Sequence, residues 1–314
     1  MREMKRTIFS LVIILASITV AGQDSYENTL RAVSLADRGE AEEAAAILGG
    51  MKEVDNDLSL LLLRGNICLK ASMVREAKSD FMKAESLSQG AGLYGLAKCA
   101  AATGDAATAV SLLEAHLKSS LRKSEPEIML DRAFGTISSA PEWRNLWKRD
   151  WYKVYERKSW EIDHYLRSGR TDLAETGYSE LSSLYPELAV TRYSQARIMM
   201  SNGRYREAAA ILADITTGGD VPAGWLYALA EAREGEGNHY AAAMAYGRLI
   251  NERYPDPSLL LKRAQVLLKS GDREAAKKDM QRYVSIDPDN TEALGLIGRT
   301  YAEEGAIYEA LPYL

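Results

Sequence analysis

The stretch from Pro257 to Asn290, PSLLLKRAQVLLKSGDREAAKKDMQRYVSIDPDN, decides how this chain folds. Leu260, Ala264 and Leu267 recur at i, i+4 and i+7, the spacing of one face of an α-helix. Gly271 ends that pattern, since glycine adopts the left-handed conformation that closes a helix without steric cost. Asp272 is placed to cap a second helix whose inner face carries Ala276, Met280 and Tyr283, and Pro288 stops it. The stretch therefore reads as two short helices joined by a tight turn.

The same pattern repeats along the chain. Gly169, Gly203, Gly237, Gly271 and Gly305 fall 34 residues apart, and each is followed five residues later by alanine: Ala174, Ala208, Ala242, Ala276 and Ala310. With glycine near 7% of average composition, four further hits at one spacing have a chance probability on the order of 10⁻⁵. A unit this short cannot bury its own apolar face and must stack on copies of itself. Weaker copies precede these: Gly39 with Ala44, Ser72 with Ala77, and Gly104 with Ala109 keep the five-residue offset, and Gly65, Phe81 and Ala84 support the second. The small residues Ala230, Ala264 and Gly298 let the first helix approach its partner, while Tyr178, Leu212, Tyr246 and Met280 fill the space one turn beyond the alanines.

This pattern resembles the tetratricopeptide repeat (TPR) family. The family's small residue and aromatic of helix one, its alanine and aromatic of helix two and its closing proline stand here as Gly298, Tyr301, Ala276, Tyr246 and Pro288. The tryptophan of the family's first helix is missing throughout. The resemblance implies an all-α, right-handed solenoid of about eight helix–turn–helix repeats. Three weak repeats are expected over 23–122, a divergent aromatic-rich helical connector over 123–154, and five repeats over 155–314, the last incomplete. Residues 291–314 are accordingly expected to be the least protected from hydrogen exchange in the second block.

Residues 1–22 differ from the rest. Arg2, Lys5 and Arg6 precede a nearly continuous apolar run from Ile8 to Val20, and Val20-Ala21-Gly22 supplies small residues for cleavage after Gly22. That is the layout of a secretory signal peptide; the rival reading is an uncleaved membrane anchor, for which the run is short of the ~20 residues needed to span a bilayer. The expectation is export to a periplasm or beyond, with no integral membrane segment after cleavage. Removing Arg2, Lys5, Arg6 and Glu3 from totals of 39 basic and 44 acidic residues leaves 36 against 43, a net charge of −7. A mildly acidic chain without a basic stripe is not built to hold phosphate backbones, so no nucleic-acid partner is expected.

No chemistry announces itself. Gly90-Ala91-Gly92-Leu93-Tyr94-Gly95 matches the dinucleotide fingerprint GxGxxG, but that motif requires a preceding strand, and Ala77 to Gln89 reads as helix. His116, His164 and His239 lie far apart, and neither Cys68 nor Cys99 is near a histidine in sequence. No catalytic residue, metal site or cofactor is expected. The two cysteines read either as a disulfide or as two buried thiols. Trp143, Trp147 and Trp151, spaced by four, read as one stripe on a connector helix, either packed as core or presented as an aromatic binding site.

Binding is expected on the groove face, one helical step past the buried column. In successive first helices this places Ser159, Asp163 and Leu166; Tyr193, Arg197 and Met200; Tyr227, Glu231 and Glu234; Leu261, Gln265 and Leu268; and Gly295, Arg299 and Ala302. The candidate partner-binding groove is Asp163, Tyr193, Arg197, Tyr227, Glu231, Gln265 and Arg299, where two tyrosines flanked by charge have the composition of interface hot spots. TPR domains that grip the carboxylate tails of chaperones carry a basic and asparagine clamp. Asn66 matches one such position, but Leu62 replaces the paired lysine, so that partner class does not transfer. The function expected is a non-enzymatic scaffold for a protein or peptide partner. The alternative is a ligand-sensing component of an envelope system that binds glycan or peptidoglycan fragments.

Overall fold

Each repeated turn residue sits between two antiparallel α-helices. The computed structural model describes residues 24–219 and 221–313; the signal-peptide expectation, on 1–22, lies outside them. By internal contact the chain divides into two compact units, one comprising residues up to Leu121 with Pro255–Pro257, the other Arg122–Tyr254 with the chain from Ser258 onward. Among the described residues there is no β-strand.

The first unit holds three helix pairs: residues 24–37 (α1) with Ala41–Gly49 (α2), Leu58–Lys70 (α3) with Val74–Leu87 (α4), and Leu93–Ala102 (α5) with Ala106–Lys118 (α6). The second begins with two short helices, Glu125–Met129 (α7) and Pro141–Leu146 (α8). Five pairs follow: Val154–Arg167 (α9) with Thr171–Leu184 (α10), Ala189–Ser201 (α11) with Tyr205–Ile215 (α12), Ala223–Gly235 (α13) with His239–Asn251 (α14), Ser258–Ser270 (α15) with Arg273–Ile286 (α16), and Thr291–Glu303 (α17) with Ile307–Ala310 (α18).

The turn within every pair is the same object. Gly39, Gly104, Gly169, Gly203, Gly237, Gly271 and Gly305 take φ between +72° and +91°, and Ser72 takes their place between α3 and α4 at φ +60°. In each case the next residue's N–H donates to the carbonyl five positions earlier, as from Met73 to Cys68 (2.8 Å), Asp272 to Leu267 (2.9 Å) and Ala306 to Tyr301 (3.0 Å). This backbone closure satisfies carbonyls that the ended helix leaves bare. A Cβ on any of these seven glycines would meet nothing within 4 Å, so left-handed backbone, not lack of room, calls for glycine. Asp105, Asn238 and Asp272 cap the helices that follow, accepting from the amides of Thr108, Ala241 and Ala275.

Five residues past each turn the alanine column is sealed. Ala44, Ala77, Ala109, Ala174, Ala208, Ala242, Ala276 and Ala310 are all 0% exposed. One turn further, Leu48, Phe81, Leu113, Leu212, Tyr246 and Met280 are buried and fill the space between helices. In two repeats a buried ion pair crosses the helix pair at one shared register, eight residues before and eight after the turn residue. Arg64 donates to both carboxylate oxygens of Asp80 (2.8 and 2.5 Å), and Arg263 does so to Asp279 (2.6 and 2.5 Å).

Cys68 and Cys99 are free thiols buried in one apolar cluster with Leu48, Phe81 and Ala77. The GxGxxG glycines are accounted for by packing. The element before them is α4, a helix, and Glu85 at its end accepts the N–H groups of Gly90 (2.8 Å) and Gly92 (2.9 Å). A Cβ on Gly92 would lie 2.0 Å from the Phe81 carbonyl oxygen, and one on Gly95 2.3 Å from the Phe81 ring. Gly95 makes room for the phenylalanine ring and Gly92 for its backbone carbonyl, Gly90 takes the left-handed φ of +90°, and the buried amides of Gly90 and Gly92 hold the chain's own carboxylate.

The tryptophan stripe needs correction. Pro141 starts α8 but the helix ends at Leu146, with Trp147 as its cap residue, so Trp143, Trp147 and Trp151 do not share one helix face. Trp143 is buried against Phe134 (5.4 Å between centroids) and edge-on to Trp147 (5.7 Å). Trp151 folds back outside the helix, where its indole N–H donates to the Leu146 carbonyl (2.8 Å). Nearby, Tyr152 stands edge-on to Trp160 and donates its hydroxyl to Lys123 O (2.7 Å). Burial pushes its phenol pKa up, with Glu125 adding to the shift.

Candidate groove of the second unit

The buried column of first helices in the second unit is Ile162, Ala196, Ala230, Ala264 and Gly298. Each candidate residue at 163, 197, 231, 265 and 299 directly follows a member of that column. A step of about 100° turns it off the core-facing side of α9, α11, α13, α15 and α17. These side chains are half-buried or exposed.

Their surroundings differ along the groove. Asp163 is ion-paired to Arg167 on the same helix. Arg197 donates from Nη1 to the Tyr193 hydroxyl (3.2 Å), with its guanidinium carbon 6.0 Å from the Tyr193 ring centroid. Burial draws the Arg197 pKa down, but Tyr193, Asp163 and Glu231 outweigh it and the net shift is upward, so the side chain stays cationic. Tyr193 stacks on Trp225 with centroids 5.3 Å apart and planes 16° from parallel. Tyr227 lies edge-on to Tyr246 and Tyr254, and Lys262 Nζ stands 5.0 Å from its ring centroid. Gln265 donates to Glu292 (3.3 Å), and Lys269 bridges to Glu234 (2.6 Å). Arg299 lies against Gly295, where a Cβ would come within 3.3 Å of Nη1.

One part of this face is concave. A pocket of about 450 Å³ is lined from α9 by Leu166, from α11 by Arg197, Met200 and Ser201, and from α13 by Glu231, Glu234 and Gly235, with the Tyr205 ring at its edge. Of the seven expected residues, Arg197 and Glu231 come together here. Tyr193 and Tyr227 instead find aromatic neighbours of their own, on Trp225 and on the Tyr246–Tyr254 pair. Sequence reading missed Tyr205, Trp225 and Lys262. Gly235 carries the signal for the first, since a Cβ there would lie 2.4 Å from the Tyr205 ring.

The groove of the first unit holds Asn66, which donates to Leu62 O (2.7 Å) and accepts from Lys98 Nζ (2.6 Å). Among the described residues no three or more His, Cys, Asp or Glu side chains are grouped as a metal site would require. No helix among them is long and apolar enough to cross a membrane.

The tetratricopeptide repeat family matches residues 257–290 in one of its forms, and residues 29–49 and 90–115 in another. At these stretches the chain carries tetratricopeptide repeats, which generally mediate protein–protein interaction. No curated protein matches it by sequence. Among solved structures, it is similar to MamA, at 21% identity and a TM-score of 0.43 over 52% of this chain and 91% of that one. It is also similar to a tetratricopeptide repeat protein from Parabacteroides merdae ATCC 43184, at 15% identity and a TM-score of 0.37 over 88% and 99% of the two chains.

Proposed function

We propose that this chain is an exported, non-enzymatic scaffold that holds a partner protein, through an extended peptide segment, in the groove of its second unit. The observation that carries the reading is the pocket between α9, α11 and α13, where Arg197 and Glu231 stand beside Leu166 and Met200. Apolar area with a few fixed polar groups is what a peptide groove requires. Export rests on the basic start, apolar run and small residues of 1–22.

A photo-crosslinking residue at position 193 or 227, introduced in the native host, tests the groove. Adducts to one protein are expected from these positions and not from Tyr240 or Met244, which are 67% and 61% exposed on α14. Equal yields from all four positions overturn the reading. Mass spectrometry of the mature chain tests export: an N-terminus at Gln23 is expected, and an intact Met1 overturns that part.

A second reading, binding of a glycan or peptidoglycan fragment, is favoured by the Tyr193–Trp225 stack, whose flat aromatic area suits a sugar ring. Calorimetric titration with soluble muropeptides separates the two: heat that disappears on Trp225→Ala supports the glycan reading, and no heat removes it.

A further inference from the structure

The charges in the groove do not all neutralise one another. Arg197 on α11 and Glu231 on α13 line the same pocket but form no ion pair. Among the described residues Arg197 makes one hydrogen bond, to the Tyr193 hydroxyl, which leaves its other donors uncommitted. Glu231 makes no hydrogen bond or ion pair among the described residues. The flanking charges are already joined, Asp163 to Arg167 and Glu234 to Lys269. A cation and a carboxylate therefore face one space over the apolar surfaces of Leu166 and Met200 without meeting each other.

A ligand of one sign leaves one of these groups beside like charge, which opposes binding. A ligand that brings both signs satisfies both. The two groups stand on the first helices of successive repeats. In an extended chain, side chains two residues apart share a face and are separated by about 6.5 Å, so one short segment can present both signs to one pocket.

We propose that this pocket receives an acidic and a basic side chain standing two residues apart on one extended segment of the partner, the acidic one at Arg197 and the basic one at Glu231. The proposal rests on the peptide-groove reading above and adds to it the chemistry of the bound segment.

A display library of random short peptides, selected on the full mature chain, tests both and separates them. Enrichment of an acidic–any–basic triplet is expected, with about a tenfold preference over the reversed order, the scale of one interfacial charge pair. The double variant Arg197→Glu with Glu231→Arg is expected to select the reversed order. If that variant is misfolded by circular dichroism, Glu231→Gln serves instead, because its side chain is exposed. It is expected to lose the basic preference and keep the acidic one. Peptides enriched without the charge pair, or selection unchanged in the variants, overturn the proposal and leave the groove reading standing. No enrichment of any peptide overturns both.

Discussion

Ile162 Cγ1 lies 3.1 Å from the point a Cβ on Gly177 would occupy. In the other repeats the corresponding first-helix residue is Ala or Gly; here it is a fully buried isoleucine, and the glycine has moved to the facing helix. The close approach of α9 and α10 is kept by exchanging large for small across the contact.

The exchange makes the two positions energetically coupled. Ile162→Ala is expected to cost about 2–5 kcal/mol, and Gly177→Leu about 1–3 kcal/mol through overpacking. Combined, they are expected to cost clearly less than the sum, because one restores the volume the other removed. Urea unfolding followed by circular dichroism checks this, and strict additivity refutes it.

Ser72 is the only non-glycine in the turn column and carries φ +60°. A left-handed residue with a Cβ is strained by about 1–2 kcal/mol. Ser72→Gly is therefore expected to stabilise the first unit by about 1 kcal/mol, and Gly271→Ala to destabilise the second by a similar amount. Denaturation midpoints moving the other way contradict the assignment.

Phe81 is held between two glycines, Gly65 and Gly95. Gly95→Ala puts a methyl 2.3 Å from its ring, and the ring is 1% exposed with nowhere to swing. A loss of at least about 1–3 kcal/mol is expected, relieved in part by Phe81→Leu. If Gly95→Ala is neutral, the ring does not sit as described.

Burial pushes the Cys99 thiol up to about 11. A group whose folded pKa lies above its unfolded value contributes stability that is complete below the unfolded value and lost as pH rises through the folded one. Stability is thus expected to fall between about pH 9 and pH 11, and the fall to be smaller in Cys99→Ala. At neutral pH both buried thiols are expected to resist iodoacetamide until the chain is unfolded.

Lys277 joins α16 to α17, bridging Glu274 (2.5 Å) and Glu304 (2.7 Å) with its ammonium 5.2 Å from the Tyr301 ring centroid. Lys277→Met is expected to raise hydrogen exchange in α17 selectively while α13 and α14 stay protected. Uniform loss of protection contradicts a local tie.

The turns and the alanine column were legible because both depend on local rules: a left-handed residue every repeat, and a small residue where backbones touch. Ser72 was legible only through its offset from Ala77. The Ile162–Gly177 exchange was not, because size compensation joins residues from different helices and leaves no periodic trace. The tryptophan stripe misled for a related reason. Spacing by four is a statement about a continuing helix, and nothing in Trp143 and Trp147 reveals that α8 stops between them at Leu146. For the groove, the step past the buried column identified Arg197 and Glu231. The aromatic partners Trp225, Tyr246 and Tyr254 are set by how successive repeats meet, which one repeat's register does not contain.

The backbone hook that closes each helix pair draws only on atoms within a half-dozen consecutive residues. A segment so self-sufficient tolerates being duplicated or excised in tandem, since its bend travels with it. A gene encoding such modules can lengthen, shorten or diverge one copy at a time, and new ligand contacts can be tried on one module while the remainder keeps its shape.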